Sequence, residues 1–502
     1  MKETITLFII LSLILGFSCK ENDDKATNQE KPKIYTNTAV ISALNYIKDA
    51  GPSNEKSFII SGSNLTDSIQ LKISGNFKIS RSAESNYHNT LNLTTNNGIL
   101  NNTSIYVRLK AGLSESNYSG TINISSGNVN QSVSLNGMVT ATEISYPVFK
   151  QYLLLETEAE TSANVSFGDL DGDGNLDIVL AKGRHWPLFN RIIFGDGNGG
   201  ITTSTILGTD QNRTYSSLLS DLDSDGDLDV VVSNDNPDPK LTYLNDGNGK
   251  FTIGSAFGSP NWNTRNVNVA DLNNDSYPDI VVANRSSSGI TNNYLCLNDG
   301  NGRFDNECIA FSDYSSTTIT ASDINDDMLI DLVVPHRDGG QSYIFIQTDT
   351  NTINFDIIPF GPANASIRAA QIGDLNNDGR VDIVSIDTNQ GVIAYLQQSD
   401  FSFSSGLPIG NSTAKPYALS LNDLNLDGYP DIIVGFVKSA SIIYYNDGKA
   451  KNFIEVAFGE NNQGTVYGFA IDDFNNDGQT DIAAAKSGAP NILYFGHDQK
   501  GK

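Results

Sequence analysis

Between residues 34 and 140, apolar and polar positions alternate in short runs. Segments such as "SFIISG", "IQLKIS", "TLNLTT", "SIYVRLKAG", "SGTINISS" and "QSVSLNGMV" carry this pattern, separated by Gly, Asn and Ser. A period of two turns one face of a strand toward a core, and short strands at this spacing predict a β-sandwich. From about residue 146 the pattern changes. A short strand ("VSFG", "NVNVA", "YALSLN") leads into an acidic nonapeptide. A continuous apolar run follows ("IVLA", "VVVS", "IVVA", "LVVP", "IVSI", "IIVG", "IAAA"), then a third strand ("RIIFGDG", "LTYLNDG", "NYLCLNDG", "SIIYYNDG"). Several copies then turn on glycine into a fourth strand. Four strands in about fifty residues is the size of a propeller blade.

The nonapeptide occurs as "DLDGDGNLD", "DLDSDGDLD", "DLNNDSYPD", "DINDDMLID", "DLNNDGRVD", "DLNLDGYPD" and "DFNNDGQTD", beginning at residues 169, 221, 271, 323, 374, 423 and 473. Seven units predict seven blades, and the chain ends support a closed ring. The last unit stops after a third strand, "NILYFGHDQKGK", whereas "VFKQYLLLE" (148–156) precedes the first unit and has the character of a fourth strand. Pairing the two leaves no open sheet edge. A solenoid would need capping repeats, and none is visible. The expected fold class is all-β: a seven-bladed β-propeller over 146–498, preceded by a sandwich over 34–140.

Within the nonapeptide, positions 1, 5 and 9 are always Asp, position 3 is Asp or Asn, and position 7 varies freely. A hard cation such as Ca2+ takes six to eight oxygens at about 2.3–2.6 Å. A tight loop brings side chains 1, 3 and 5 to one point, glycine at 6 permits the turn, position 7 offers its backbone carbonyl, and Asp at 9 closes the shell. The candidate ligands of the first copy are Asp169, Asp171, Asp173, Asn175 and Asp177. Those of the second are Asp221, Asp223, Asp225, Asp227 and Asp229, and of the third Asp271, Asn273, Asp275, Tyr277 and Asp279. The fourth offers Asp323, Asn325, Asp327, Leu329 and Asp331, and the fifth Asp374, Asn376, Asp378, Arg380 and Asp382. The sixth offers Asp423, Asn425, Asp427, Tyr429 and Asp431, and the seventh Asp473, Asn475, Asp477, Gln479 and Asp481. Sulfur and imidazole are absent, which disfavours zinc and copper, and the stricter octahedron of Mg2+ makes Ca2+ the better fit. Up to seven structural calcium ions are expected. Loops three and four, with Ser276 and Met328 in place of glycine, are expected to be the weakest. The competing reading is an Asx-rich turn whose Asp side chains bond their own backbone without metal. Position 12 falls inside the following strand, so the pattern is a hairpin loop and not an EF-hand.

These nonapeptides resemble the FG-GAP or VCBS repeat of integrin-α-like propellers. The resemblance covers some 350 residues and implies calcium loops on one face and ligand presentation on the other. The segment carrying "GPSNEKSFIISGSNLT", "FKIS" and "IYVRLKAGLSESNYSGTI" resembles an Ig-like module of Bacteroidetes surface proteins, which implies a spacer.

Charge narrows the partners. The chain of 502 residues has a formal net charge of −26, which disfavours nucleic acid and anionic lipid as partners. Residues 1–19 join a basic start to an apolar run too short to span a bilayer, ending at Cys19. The segment resembles a bacterial lipoprotein signal with Cys19 as the lipidated residue, and the polar stretch 20–33 reads as a tether. The resemblance implies an outer-membrane, cell-surface anchor through the lipid alone. The alternative is a cleaved secretory signal and a secreted chain. Cys296 and Cys308 flank one hairpin turn, and both a disulfide and two buried thiols fit that placement.

The scarce cations and aromatics gather in the loops opposite the acidic ones. "KGRHWPLF" supplies Arg184, His185 and Trp186; "PHRDGG" supplies His336 and Arg337; inter-blade links carry Arg213 and Trp262. The residue six before each first Asp is Ala163, Tyr215, Arg265, Thr317, Arg368, Tyr417 or Tyr467, so two arginines and three tyrosines are expected to ring one mouth. Aromatic faces stack on sugars and guanidiniums clamp carboxylates, which suits an acidic glycan or a protein partner. For any single residue the plain reading is an exposed polar loop or a packed tyrosine. The leading expectation is a non-enzymatic adhesion or ligand-binding protein. A polyuronide lyase using His185 or His336 with Tyr215 and an arginine is the runner-up, and a structural scaffold is the third reading. No HExxH, nucleophile elbow or phosphate loop is present.

Overall fold

The computed structural model describes residues 31–48, 51–83, 85–140, 146–287, 290–304, 308–350 and 352–497. The expected signal, Cys19 and most of the expected tether lie outside these residues. Alternation does what the pattern implies in the N-terminal region. In Ile69–Ile73, Ile69, Leu71 and Ile73 are buried while Gln70 and Lys72 face solvent. Two sheets share one core. The first is ordered Lys33–Thr36, Lys56–Ser63, Leu100–Leu109, Phe77–Ser80; the second runs Val40–Ile41, Val129–Thr140, Ser116–Ser126, Ile69–Ile73, Thr90–Leu93, with Tyr46–Ile47 also on Val129–Thr140. Phe58, Phe77, Val107 and Ile122 fill the space between them.

The rest of the described chain forms seven four-stranded antiparallel sheets. In blades one to six the strands are consecutive, as in Thr214–Ser220, Asp229–Asn234, Lys240–Asn245 and Phe251–Phe257. Second strands such as Asp229–Asn234 and Asp279–Asn284 are buried along their whole length. They lie mid-sheet with neighbouring blades on both faces, which is why they read as unbroken apolar runs and not as alternation. Outer strands such as Ile201–Asn212 are mostly exposed.

Ring closure follows the expectation from the chain ends. Val148–Leu154 pairs antiparallel with Ile492–His497 and completes the seventh blade, with Tyr152 opposite Tyr494 and Leu153 opposite Leu493. A buried polar clasp seals this joint. Lys182 of blade one pairs with Glu156, just after the closing strand, and with Glu160 at 2.7 Å. Glu156 accepts a 2.6 Å hydrogen bond from Asn491, which also donates to Ser162 at 2.8 Å. Burial pushes the Glu156 carboxyl up, and the Lys182 ammonium opposes that shift.

Neighbouring blades are also joined by a repeated amide. Asn245, Asn298, Gln347 and Asn446 each donate a side-chain hydrogen bond of 2.7–2.8 Å to the carbonyl of the second loop residue in the blade before: Leu170, Leu222, Leu272 and Leu375. At the seam between blades seven and one this position is Gly195. A Cβ there would lie 2.3 Å from the Leu176 carbonyl oxygen and 3.0 Å from the Phe474 ring, so the larger Phe474 takes the space of the amide. Cys296 and Cys308 form a disulfide across the blade-three hairpin.

Removing one partner of a buried ion pair leaves a charge that water cannot reach. Glu156→Ala is expected to lower the unfolding free energy by about 3 kcal/mol, near the low end for a broken buried pair because Glu160 remains. Glu156→Gln with Lys182→Met should recover most of that loss. Denaturant titration of the three proteins measures both effects.

Candidate functional sites: acidic loops and an axial arginine cluster

Each nonapeptide joins the first and second strands of its blade, and the seven share one backbone path. Positions 4 and 6 both have positive φ, for example Gly172 (74°) and Gly174 (84°) in loop one. Ser276 (76°) and Met328 (72°) hold the same left-handed geometry in loops three and four without glycine. Those loops keep the shared turn at a steric cost of about 1 kcal/mol or more each. The second residue of every loop is an apolar plug: Leu170, Leu222, Leu272, Ile324, Leu375, Leu424 and Phe474 are all buried.

The ninth aspartate does more than the sequence pattern implies. In all seven loops its Oδ2 accepts the backbone N–H of position 2, as Asp279 does from Leu272 at 3.0 Å. Its Oδ1 accepts a backbone N–H from the end of the third strand, as Asp279 does from Asn298 at 2.8 Å. Each of these carboxylates therefore staples the loop to the strand beyond it. Carboxylate oxygens have two lone pairs apiece, so the staple and a cation can share them. Burial is the main reason these groups are hard to ionise. It pushes Asp177, Asp229, Asp331 and Asp382 up to about 6 and Asp279 and Asp481 up to about 7, against the pull of their N–H donors.

The donor chemistry fits a hard divalent ion. Carboxylate oxygens of Asp169, Asp171 and Asp177, and of Asp221, Asp223 and Asp225, lie within 4.8 Å of one another. Asp221 Oδ1 and Asp223 Oδ1 are buried without a hydrogen-bond partner. Burial and then the neighbouring carboxylate push Asp171 and Asp223 up. These two loops have Asp at position 3. The other five have Asn there, and in four of them its amide donates to the position-5 carboxylate: Asn273 to Asp275, Asn325 to Asp327, Asn425 to Asp427 and Asn475 to Asp477. In loop five Asn376 accepts the Asp378 N–H, and the Arg380 guanidinium pairs with the Asp378 carboxylate. Position 3 thus separates the loops more sharply than position 6 does. At position 7, Asn175, Asp227, Tyr277, Leu329, Arg380, Tyr429 and Gln479 each donate their backbone N–H to the position-5 carboxylate.

The other candidate residues lie at the opposite strand ends. Tyr215 is the second residue of Thr214–Ser220, and Asp221 follows the last, a separation of about 20 Å at roughly 3.3 Å per residue. Residues in or just before the first strands of all seven blades line a cavity of about 250 Å3 on the axis, Tyr215, Arg265, Thr317, Arg368, Tyr417 and Tyr467 among them. The tyrosines serve as shelves for guanidiniums. Arg184 lies 3.8 Å from the Tyr467 ring centre, Arg265 4.3 Å from Tyr215 and Arg368 3.6 Å from Tyr417. The Arg368 Nε also donates to the Tyr417 carbonyl at 2.8 Å, and the Tyr417 and Tyr467 rings meet edge to face. Burial opposes ionisation of Tyr417, yet Arg368, Arg337 and Arg184 together hold its hydroxyl below the usual phenol range. One ring face of each tyrosine is therefore taken by a cation, which reduces the stacking surface expected for sugars.

His185 Nε2 lies 2.8 Å from the Tyr215 hydroxyl, and Nδ1 lies 3.7 Å from Asp235. Partial burial, then Arg184 and Arg265, lower the His185 pKa, leaving a neutral imidazole near pH 7. Trp186 packs edge-on against His185 and is 59% exposed. Three candidates are otherwise engaged. Arg213 is held by Asp238 at 2.9 Å, Trp262 stacks on Tyr294 at 3.9 Å, and His336 is buried edge-on to Tyr314. Arg337 is buried beside Asp338, 3.9 Å away. Repeat arithmetic did not point to Asp235 and Asp338, which pair with Arg265 and Arg285. Both lie in links between second and third strands, where length and sequence vary from blade to blade.

The FG-GAP-like repeat profile matches residues 169–232, 221–282, 271–334, 323–385, 374–434 and 423–484, each match running from one acidic loop into the strand beyond the next. The matches span more than half of the chain, which belongs to the FG-GAP-like repeat family. No curated relative matches it.

Removing a stapling carboxylate orphans two backbone N–H groups. Asp279→Ala should therefore cost about 2–4 kcal/mol in a thermal or denaturant melt, with or without metal. The raised carboxyls also set a pH dependence for the chelated protein. The native state holds protons that the unfolded chain releases above its ordinary carboxylate range. This contribution is complete below about pH 4 and is lost as pH rises through 6 to 7. In EDTA the melting temperature should fall from pH 5 to pH 8, and excess calcium should remove or reverse that fall.

Proposed function

We propose that this chain is a cell-surface, calcium-stabilised propeller that binds a ligand, an acidic glycan or an anionic protein surface, on the face opposite its acidic loops. The observation that carries this reading is the guanidinium cluster at the axial mouth of a chain whose net charge is −26. Attraction of an anion to that mouth would be local and selective, because the surrounding field repels anions elsewhere. Calcium ions, up to seven, would neutralise the loops and tie blade stability to ion concentration. They are structural in this reading, and the ligand face does not use them directly. The N-terminal region meets the acidic-loop face, where Asn54 donates to Asn377 of loop five at 2.9 Å. An Ig-like spacer there, on a tether lipidated at Cys19, would hold the mouth away from the outer membrane.

A second reading keeps the same mouth and adds chemistry. His185 and Tyr215 in hydrogen-bond contact, with Arg184 and Arg265 beside them, are the groups that a polyuronide β-elimination needs: a base, an acid and a clamp for the uronate carboxylate.

Glycan-array binding with calcium and with EDTA tests the first reading. Retention of an acidic glycan in calcium and its loss as the propeller melts in EDTA are expected; an array silent in both conditions, with no protein partner captured, sinks it. The second reading predicts new absorbance from the unsaturated sugar end when the protein is incubated with alginate, pectin or ulvan, and its abolition by His185→Ala.

A further inference from the structure

The axial mouth holds more positive charge than its own carboxylates balance. Asp235 is taken by Arg265, and Asp338 by Arg285 at 2.9 Å. Arg337 reaches only that second carboxylate, at 3.9 Å. Among the described residues, Arg184 and Arg368 form no carboxylate pair. Arg337 is 8% exposed, and its Nε and Nη1 are buried without a hydrogen-bond acceptor, as is Nε of Arg184. Burial and then neighbouring guanidiniums work against the charge on both Arg337 and Arg368. A guanidinium does not release its proton near neutral pH, so the repulsion persists until an anion enters.

The cavity is too roomy for a bare oxyanion. Its 250 Å3 sits just below the range of about 300–1,000 Å3 usual for ligand pockets, enough for one sugar ring. Thr317 and Thr318 on its wall carry buried hydroxyls with no partner. A buried polar group without a hydrogen bond is unfavourable, and rotation of these two side chains toward the cavity would let sugar hydroxyls supply the missing partner.

We infer that the axial cavity seats one carboxylated sugar residue, its carboxylate on Arg368 of the cavity wall and facing Arg184 and Arg337 at the rim, and its hydroxyls against the wall that carries Thr317 and Thr318; this rests on the ligand-face reading and narrows it to a single uronate. Planar guanidiniums pair with a planar carboxylate through two parallel N–H bonds. A polymer would thus be held by one residue and not laid across the mouth.

The test uses the full chain in calcium, with calorimetric titration and thermal melts against methyl glucuronide, methyl glucoside and inorganic sulfate. Glucuronide should bind and raise the melting temperature, glucoside should do neither, and sulfate should bind at least about tenfold more weakly, since it lacks the hydroxyl contacts. Arg337→Met should weaken glucuronide by at least about tenfold. Its ligand-free melting temperature should equal or exceed that of the parent, because an uncompensated charge has been removed; a purely structural arginine would lower it. Arg184→Gln, at a part-exposed position, supplies the same binding comparison should Arg337→Met fail to fold. Equal responses to sulfate and glucuronide would mean an adventitious ion only and overturn the inference, as would glucuronide binding unchanged in both variants. Array binding without any glucuronide response would overturn it while leaving the ligand face standing. A silent array with glucuronide bound to the isolated chain would support the pocket and sink the adhesive reading.

Discussion

A buried carboxylate whose two oxygens each accept a backbone N–H is costly to ionise and costly to remove, and one such group fastens every blade of this ring. The ninth loop aspartate ties the plug residue at position 2 to the end of the third strand, so strands one, two and three of a blade share a single polar anchor. That anchor shares its loop with up to four further carboxylates. Burial and mutual repulsion push the group toward its protonated form, while a divalent ion would pull it the other way. The stability of the propeller, its response to protons and any response to a divalent ion would thus arise at the same atoms.

Coupling between blades relies on a different device. Four of the seams are bridged by an amide reaching back to the preceding loop, and the seam between blades seven and one fills that place with Phe474 against Gly195. The chain ends meet at blade seven, where Lys182, Glu156, Asn491 and Ser162 make a buried clasp between residues more than three hundred positions apart. A ring needs such a joint because its last sheet otherwise exposes an edge. Closure also gathers around the axis the first strands that carry Arg265 and Arg368 and the links that carry Arg184 and Arg337, and this concentrates the guanidiniums at one mouth.

The acidic loops and the axial mouth are electrostatic opposites. The loops carry carboxylates in excess of their partners, and the mouth carries guanidiniums in excess of its carboxylates. The tyrosines at positions 215, 417 and 467 support the arginines by offering ring faces to cations, so they place charge and leave less ring surface free to stack. His185 stands at the rim of that cluster, hydrogen-bonded to Tyr215, its pKa lowered by partial burial and then by its cationic neighbours.

Much of this was legible in residue order alone. A nonapeptide with Asp fixed at positions 1, 5 and 9 repeats because every blade solves the same local problem, and local problems leave periodic marks. Blade number, the identity of the closing strand and the ring of first-strand residues from Ala163 to Tyr467 all followed from that period. The staple made by the ninth aspartate was not legible, since its Oδ1 partner lies 15 to 19 residues further on in a strand whose side chains give no sign of it. Nor were Asp235 and Asp338, which neutralise arginines across blade boundaries from loops that do not repeat. The engagement of Trp262 with Tyr294, the joining of Cys296 to Cys308 and the surplus of charge around Arg337 also awaited the fold. Which strands form, and where the acidic turns fall, is decided within one fifty-residue unit; which charges are left without partners depends on side chains from different blades, and only the closed ring brings those together.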